Sequence, residues 1–93
     1  MSVRVLLPGA LASLAGGKRH LEVEPGGETL ADVLDALGVV HPTLIRRIRD
    51  ETGQVRRFVN VYVDGDDVRF RGGLATEVRS GAEVHVLPSV AGG

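Results

Sequence analysis

The residue types that most often carry out chemistry are sparse in this chain. The sequence has no cysteine, and His20, His41 and His85 stand singly along its 93 residues. Neither the ligand spacing of a zinc site nor the motifs of a Ser-His-Asp triad occur. We therefore expect no catalytic residues, no metal site and no bound cofactor, so the protein is not expected to be an enzyme.

Two stretches have part of the composition of a ligand-binding loop. Gly17 and Lys18 match the end of a phosphate loop, but Ala12 stands at the position of its first glycine and Arg19 replaces the required Ser or Thr. The acidic run "DGDD" at 64–67 lacks the alternating acids and the distant glutamate of a calcium loop. We interpret the first stretch as a connection and the second as a hairpin turn.

The end of the sequence, "VLPSVAGG", offers chemistry of another kind. After Leu87 the chain tapers toward two residues without a β-carbon, and fully extended this tail would reach about 20 Å. Glycine lets another backbone approach closely, so such a tail fits a narrow channel in a partner protein. The residues expected to lie in that channel are Pro88, Ser89, Val90, Ala91 and Gly92, and the carboxylate of Gly93 would be presented at its end.

A carboxylate is a poor electrophile, so reaction at Gly93 requires activation, most simply as an acyl-adenylate made from ATP. A sulfur donor would then convert the acyl group into a thiocarboxylate, which is a better nucleophile than the carboxylate. The alternative is an idle, frayed end, which is common at chain termini. Composition alone leaves both interpretations open.

Composition narrows the class of partner. The length fits one domain, the formal net charge is −1, and only Phe58, Phe70 and Tyr62 are aromatic. Such a chain is not expected to bind nucleic acid, because it lacks both a strong positive charge and stacking platforms. The early apolar run is broken by Pro8 and Gly9 and is too short to span a membrane. We expect a cytoplasmic protein with no membrane partner.

Alternating apolar residues predict five strands. They lie in "SVRVLLP", "RHLEVE", "RRFVNVYV", "DDVRF" and "AEVHVLP". The glycine-rich connection between the first two, "LASLAGGKR", is predicted to be a turn region that joins an antiparallel pair. Asp64 and Gly65 favour a tight reversal between the third and the fourth strand.

A helical period replaces the alternation in "ETLADVLDALG". The predicted apolar stripe consists of Leu30, Val33, Leu34 and Leu37. Thr29 is suited to be the N-cap with Asp32 at the capping-box position, and Gly38 is expected to end the helix. Pro42 is expected to begin a second, short helix in "PTLIRRIRD", whose three arginines would face water.

This order of elements predicts an α+β protein with a mixed sheet of four to five strands packed on one main helix plus a short helix. The two-layer arrangement that fits is the β-grasp fold, as in ubiquitin. By that analogy the last strand lies parallel to the first in the middle of the sheet. We expect a β-grasp domain over residues 1–87 and a flexible Gly-Gly tail over residues 88–93.

One face of the predicted sheet is a candidate docking surface. The valines of "RRFVNVYV" would face the helix, so the residues between them would point to the opposite side of the sheet. The predicted partner-docking face consists of Phe58, Asn60 and Tyr62, joined by His85 and Leu87 if the last strand is the neighbour. A mixture of aromatic, apolar and polar groups suits a transient interface. The alternative is that Phe58 or Tyr62 packs under a loop.

The second half of the chain resembles a known family. The segments "RFVNVYV", "DVRFRGGLAT" and "VLPSVAGG" are together similar to the ubiquitin-like sulfur carriers of the MoaD/ThiS family, and most similar to the CysO type of actinobacterial cysteine biosynthesis. The resemblance covers Arg57–Gly93, and the earlier residues share mainly the order of elements. Ala82 and Ser89 depart from the pattern, in which Asp and Pro are usual.

This resemblance implies that an activating enzyme of the MoeB/ThiF type, with sulfurtransferase activity, adenylates Gly93 and converts it to a thiocarboxylate. ATP and the sulfur donor would be used by that partner enzyme. In the CysO-type pathway a PLP-dependent cysteine synthase accepts the sulfur on an aminoacrylate formed from O-phosphoserine. A metalloprotease then releases cysteine and the regenerated carrier.

Two other functions remain as alternatives. One is a ubiquitin-like protein modifier that is conjugated to target proteins through Gly93, and the other is a non-catalytic β-grasp interaction module with an idle tail. For a carrier, cysteine, a thiosugar, a thiolated RNA base and other natural products are all compatible sulfur acceptors.

Overall fold

The computed structural model describes residues 2–88 of the chain, which contain five strands and three α-helices. The strands are β1 (Val3–Leu6), β2 (His20–Val23), β3 (Val59–Val63), β4 (Asp66–Asp67) and β5 (Glu83–Pro88). The helices are α1 (Gly9–Ala12), α2 (Leu30–Val40) and α3 (Pro42–Ile48), with short 3-10 turns at Ser13–Ala15, Val68–Phe70 and Gly73–Ala75. Within this range, no helix has the length and the apolar character needed to cross a membrane.

The strands form one mixed sheet in the order β2-β1-β5-β3-β4. Strand β5 lies parallel to β1 on one side and antiparallel to β3 on the other. The pairs β1 with β2 and β3 with β4 are antiparallel. The last strand therefore lies in the middle of the sheet beside the first, which confirms the predicted β-grasp arrangement.

The core lies between one face of this sheet and helix α2. The inward-facing sheet residues are Val3, Val5, Leu21, Val23, Val61, Val63, Val84 and Val86. Against them pack the four residues of the predicted helical stripe, each at most 1% exposed. The fully buried Leu44 and Ile48 of α3 cover the end of this layer. Burial of each such side chain contributes roughly 1.5–3 kcal/mol.

Helix α2 begins with the predicted capping box. The Thr29 hydroxyl oxygen accepts a hydrogen bond from the Asp32 N–H at 3.2 Å, and the Thr29 N–H donates to the Asp32 carboxylate at 3.1 Å. The same hydroxyl donates to that carboxylate at 2.7 Å. Two backbone donors that a helix start leaves without partners are thereby satisfied.

The prediction that Gly38 ends α2 is wrong, because the helix continues to Val40. A β-carbon at Gly38 would lie 3.2 Å from Cγ2 of Ile45 in α3, so the glycine allows the two helices to pack closely. The residue that caps the end of the helix is His41, which precedes Pro42 and has a non-helical φ of −128°. A proline disfavours the helical conformation of the residue before it.

The predicted turn region after β1 contains helix α1. The Pro8 carbonyl accepts hydrogen bonds from the N–H groups of Leu11 and Ala12 at 3.0 and 2.8 Å. Ala12 and Ala15 are 2% and 1% exposed, so this segment closes one end of the core. Four residues are too few to show a helical period, which explains why the pattern indicated only a turn region.

Strand β4 is shorter than the predicted "DDVRF". The Asp64-Gly65 reversal is present, with φ of 48° and 88° at the two residues. Pairing with β3 stops after Asp67, whose carboxylate accepts the N–H of Arg69 at 2.9 Å and begins a 3-10 turn. An aspartate in this position competes with the ladder by capping the local turn.

Helix α3 also ends before the predicted Asp50, at Ile48. Arg46 and Arg47 are exposed as predicted, but Arg49 does not face water. Its side chain is 17% exposed and contacts the Asp35 carboxylate at 2.6 Å. Its Nε also donates to the Gly53 carbonyl at 2.6 Å. Arg49 therefore ties the end of α3 to α2 and to the following turn.

The capping box at the start of α2 gives a prediction about the stability of the protein. We expect Thr29→Ala to lower the free energy of unfolding by about 1 kcal/mol, because the Asp32 N–H loses its partner. Urea denaturation followed by circular dichroism measures this change. Thr43→Ala is the control, since Thr43 is exposed within α3 and should change the free energy by less than about 0.5 kcal/mol. Equal effects in the two variants would contradict a specific cap.

Candidate functional site

The outer face of the sheet brings four of the five predicted docking residues together. Asn60 lies directly opposite Leu87, and Tyr62 directly opposite His85, in the β3–β5 register. The alternating residues Val61, Val63, Val84 and Val86 are buried, which turns these four side chains away from the core. His85 is exposed and the other three are half-buried. The predicted adjacency of the two strands is therefore confirmed, while the docking role stays a prediction.

Leu6 also belongs to this face, although it was not among the predicted docking residues. Leu6 pairs with His85 on one side and with His20 on the other. The signal was present, because inward-facing Val3 and Val5 leave Leu6 on the outer side of β1. It became informative only once β1 and β5 were known to be neighbours. The outer face thus carries a row of apolar and imidazole side chains across three strands.

Phe58 does not belong to this face. The strand begins at Val59, so Phe58 lies in the preceding turn and is outside the alternation. Its ring is 56% exposed, and the Arg57 guanidinium lies over it at 5.8 Å from the ring centre. Phe58 lines an open cleft together with Arg46 and Arg47 of α3. The alternative that Phe58 packs under a loop is not what the structure shows.

Arg69 connects the turn after β4 to the docking face. Its guanidinium donates to the Asn60 side-chain oxygen at 2.8 Å and to the Asp67 carboxylate at 3.0 Å. These bonds fix the orientation of the Asn60 amide. Hydrogen bonds from the Arg69 side chain and N–H hold the pKa of the Asp67 carboxyl below its ordinary value, and the same carboxylate raises the pKa of Arg69.

The described part of the chain ends at Pro88, beside this face. Pro88 is the last residue of β5, lies opposite Val59 and is exposed. It was predicted as the first residue of the tail, and the structure places it at the end of the sheet. The other predicted channel residues, Ser89, Val90, Ala91 and Gly92, and the predicted modification site Gly93 lie outside the described residues.

The outer face of the sheet presents apolar, aromatic and polar groups in strand positions. Between Ser2 and Pro88, no group of three His, Asp or Glu side chains converges as a metal site would require.

The contact between Arg69 and Asp67 gives a prediction about pH. We expect the Asp67 carboxyl to titrate below its ordinary value of 3.8 and to move upward in Arg69→Gln. Because the folded-state pKa is lowered, the contact stabilises the fold above that ordinary value and is lost as the pH falls through the folded-state pKa. Carboxyl carbon chemical shifts measured by NMR follow this titration.

Arg79→Gln is the control for the NMR titration. Arg79 pairs with Glu77 rather than with Asp67, so this variant should leave the Asp67 titration unchanged. An Asp67 midpoint that does not respond to loss of Arg69 would contradict the assigned cause.

Comparison with known proteins assigns this architecture to a family. Residues 5–93 match the ThiS family. The chain is 41% identical over 95 residues to the sulfur carrier protein CysO of Mycobacterium tuberculosis, with all of both chains covered. The crystal structure of that CysO superposes with a TM-score of 0.84 at 38% identity, covering 95% of this chain and 99% of that one.

Two further solved structures are similar over nearly the whole chain. The first is the crystal structure of the Amycolatopsis orientalis BexX/CysO complex, with a TM-score of 0.85, 38% identity and coverage of 98% of this chain and 99% of that chain. The second is small archaeal modifier protein 1 (SAMP1) of Haloferax volcanii, with a TM-score of 0.83, 32% identity and complete coverage of both chains. From its sequence and from its fold alike, this chain belongs to the ThiS family.

Proposed function

We propose that this protein is a sulfur carrier whose Gly93 carboxylate is adenylated and then converted to a thiocarboxylate that donates sulfur in biosynthesis. A carboxylate oxygen attacks the α-phosphorus of ATP and pyrophosphate leaves. A sulfur donor at the sulfide level then displaces AMP from the acyl carbon. The observation that carries the proposal is that the ThiS-family match continues to residue 93.

The absence of side-chain thiols supports this role for the terminus. The chain contains no cysteine, so no side chain can hold sulfur as a persulfide. Among residues 2–88, no cluster of His, Asp or Glu side chains could hold a metal ion to activate the carboxylate. Activation by a partner enzyme fits these residues, and the protein then acts as a co-substrate rather than as an enzyme.

The partners follow from the two chemical steps. An adenylating enzyme of the MoeB/ThiF type, with sulfurtransferase activity, uses ATP to adenylate Gly93 and transfers sulfur to it from a sulfur donor. A sulfur-accepting enzyme, such as a PLP-dependent cysteine synthase, then takes the thiocarboxylate, and a metalloprotease would release a cysteine product. The outer face of the sheet, with Asn60, Tyr62, His85 and Leu87, docks on these enzymes. Cysteine and other sulfur-containing metabolites are both open as products.

A second candidate function is conjugation to target proteins. The likeness to small archaeal modifier protein 1, 31% identical over 83 residues, favours this alternative because an adenylated glycine also acylates lysine. The two functions share activation and differ in the acceptor. Isopeptide-linked adducts that depend on Gly93 would establish the modifier function.

The carrier function is tested by trapping the thiocarboxylate. We expect the protein, incubated with ATP, its activating enzyme and sulfide, to gain one alkyl group at Gly93 on treatment with iodoacetamide. The background is low because the chain has no cysteine thiol to react. Tandem mass spectrometry locates the label at the terminus. The proposal would be ruled out if the protein's own activating enzyme, shown to be active on another carrier, gave no labelled product.

The channel geometry is tested at Gly93 itself. We expect Gly93→Ala to fold normally and to lose roughly ten- to hundred-fold in its rate of activation, because the added methyl misplaces the reacting carboxylate. Gly26→Ala is the matched control, since a β-carbon at Gly26 meets nothing within 4 Å. Pyrophosphate exchange measures both variants, and equal rates would count against a glycine-width channel.

The docking face is tested apart from the terminus. We expect Tyr62→Ala and Leu87→Ala each to raise the KM for the carrier in pyrophosphate exchange by roughly ten-fold, because each removes a central contact of a transient interface. Val39→Ala, at a residue 84% exposed on α2, is the control and should leave the KM unchanged. Thermal unfolding of all three variants separates lost docking from lost folding. Unchanged KM values at both sheet positions would exclude this face.

A further inference from the structure

The arginine and lysine side chains of this protein differ in whether they contact a carboxylate. Within residues 2–88, the arginines that contact a carboxylate within 4.0 Å are Arg4, Arg49, Arg69, Arg71 and Arg79. The cations with no such contact in the same range are Lys18, Arg19, Arg46, Arg47, Arg56 and Arg57, and all six are exposed. We call these six residues the basic end, because they lie at one end of the sheet.

Four of the six lie beside the start of β3. Arg56 and Arg57 directly precede Val59, which pairs with Pro88 at the end of β5. Arg46 and Arg47 of α3 line the same open cleft as these two residues. The Nε of Arg56 donates to the Arg46 carbonyl at 2.7 Å, which holds the two segments together. This half of the basic end therefore borders the point at which the chain leaves the sheet.

The other two cations lie across the sheet at the same end. Lys18 and Arg19 directly precede β2, whose first residue pairs with Leu6 at the end of β1. The Arg19 carbonyl accepts the Leu7 N–H at 2.8 Å, which fixes this position. Strands β1 and β5 are parallel, so both end at the same edge. The basic end thus flanks the exit of β5 on two sides.

The opposite end of the sheet has a different arrangement of charge. Glu24 follows β2 there, Asp64 and Asp66 lie at the β3–β4 reversal, and Glu83 begins β5. Arginines pair with two of these acids, Arg4 with Glu83 at 3.4 Å and Arg71 with Asp66 at 3.3 Å. The cations that have no carboxylate partner within residues 2–88 are therefore concentrated at the basic end, although the net charge of the chain is −1.

Two acidic residues near the basic end reduce its charge only in part. Glu51 is exposed in the turn after α3, and Asp50 lines the same cleft as Arg46. The Asp50 carboxylate accepts the Thr52 hydroxyl at 2.6 Å and the N–H groups of Thr52 and Gln54 at 2.8 and 3.2 Å. It is thus bonded to its own loop, and the six cations still exceed the two acids.

We infer that the basic end docks on an acidic rim around the active-site entrance of the activating enzyme. The inference rests on the proposed carrier function, because that function requires an enzyme to receive the segment after Pro88. A protein that holds this segment in a channel must cover the surface beside Pro88. An acidic rim there would pair with the unpaired guanidinium groups, steer association and fix the rotation of the carrier about its tail.

A protein partner fits these cations better than a nucleic acid does. Nucleic acid requires a continuous positive track, whereas the basic end is a two-sided arrangement around one point. The only aromatic ring in the cleft, Phe58, is already covered on one face by Arg57. We therefore argue for an acidic protein surface and treat nucleic acid as an outcome of the test.

The test compares two charge reversals of equal size. Arg47→Glu combined with Arg57→Glu alters the basic end, at positions whose side chains make no hydrogen bond within residues 2–88. Arg71→Glu combined with Arg79→Glu is the matched control at paired arginines elsewhere. Pyrophosphate exchange with the organism's own activating enzyme is measured against carrier concentration at several NaCl concentrations.

The expected result is a KM raised roughly ten-fold at low salt in the basic-end variant, with kcat within about two-fold and a flattened salt dependence. The control should follow the wild type. Exchange by the wild type with no change in the basic-end variant would overturn the inference while leaving the carrier function intact. Absence of exchange with every form would instead reject the carrier function.

Thermal unfolding of both variants excludes a folding defect. A fluorescent oligonucleotide supplies the second arm of the test. Salt-sensitive binding of that probe by the wild type, lost in the basic-end variant while exchange is unaffected, would assign the cations to nucleic acid and overturn the inference.

Discussion

The pairing of β5 between β1 and β3 is the constraint on which the rest of the structure depends. On one face of β5, the fully buried Val84 and Val86 supply the centre of the core. On the other face, His85 and Leu87 lie at the centre of the candidate docking surface. One strand thus joins the interior, the outer face and the exit of the chain. The position of the exit is therefore set by the packing of the core, which makes it as rigid as the sheet.

Much of the fold could be predicted because short-range chemistry decides it. Alternating valines specify the strands, and Thr29 with Asp32 specifies the start of α2 regardless of what lies nearby. Two of the errors arose where a residue of another element decides. Glycine often ends a helix, yet Gly38 lies within α2 and leaves room for the Ile45 side chain of the next helix. Arginine is usually found on the surface, and the contact between Arg49 and the Asp35 carboxylate depends on the packing of α2 against α3.

The candidate site shows the same division. Asn60 and Tyr62 follow from alternation within one strand, whereas Leu6 required knowledge of the neighbouring strand. Phe58 was misplaced because β3 begins at Val59, three residues after the start of the predicted strand "RRFVNVYV". The basic end could not be predicted, since its cations come from three separate segments and the acids elsewhere cancel them in the net charge. A near-neutral chain can therefore still present two surfaces, one of mixed apolar and polar side chains and one cationic, beside the end of β5.

The central position of β5 also has a consequence for how the protein folds during its synthesis. Arg4 of β1 and Glu83 of β5 are 79 positions apart, so the parallel pair that completes the sheet closes a loop of nearly the whole chain. Long-range closure of this kind slows folding, because its entropy is lost before any contact is gained. During synthesis, β1 and its antiparallel partner β2 leave the ribosome long before β5, the parallel partner of β1, exists. The protein can complete its native sheet only once nearly the whole chain has been made.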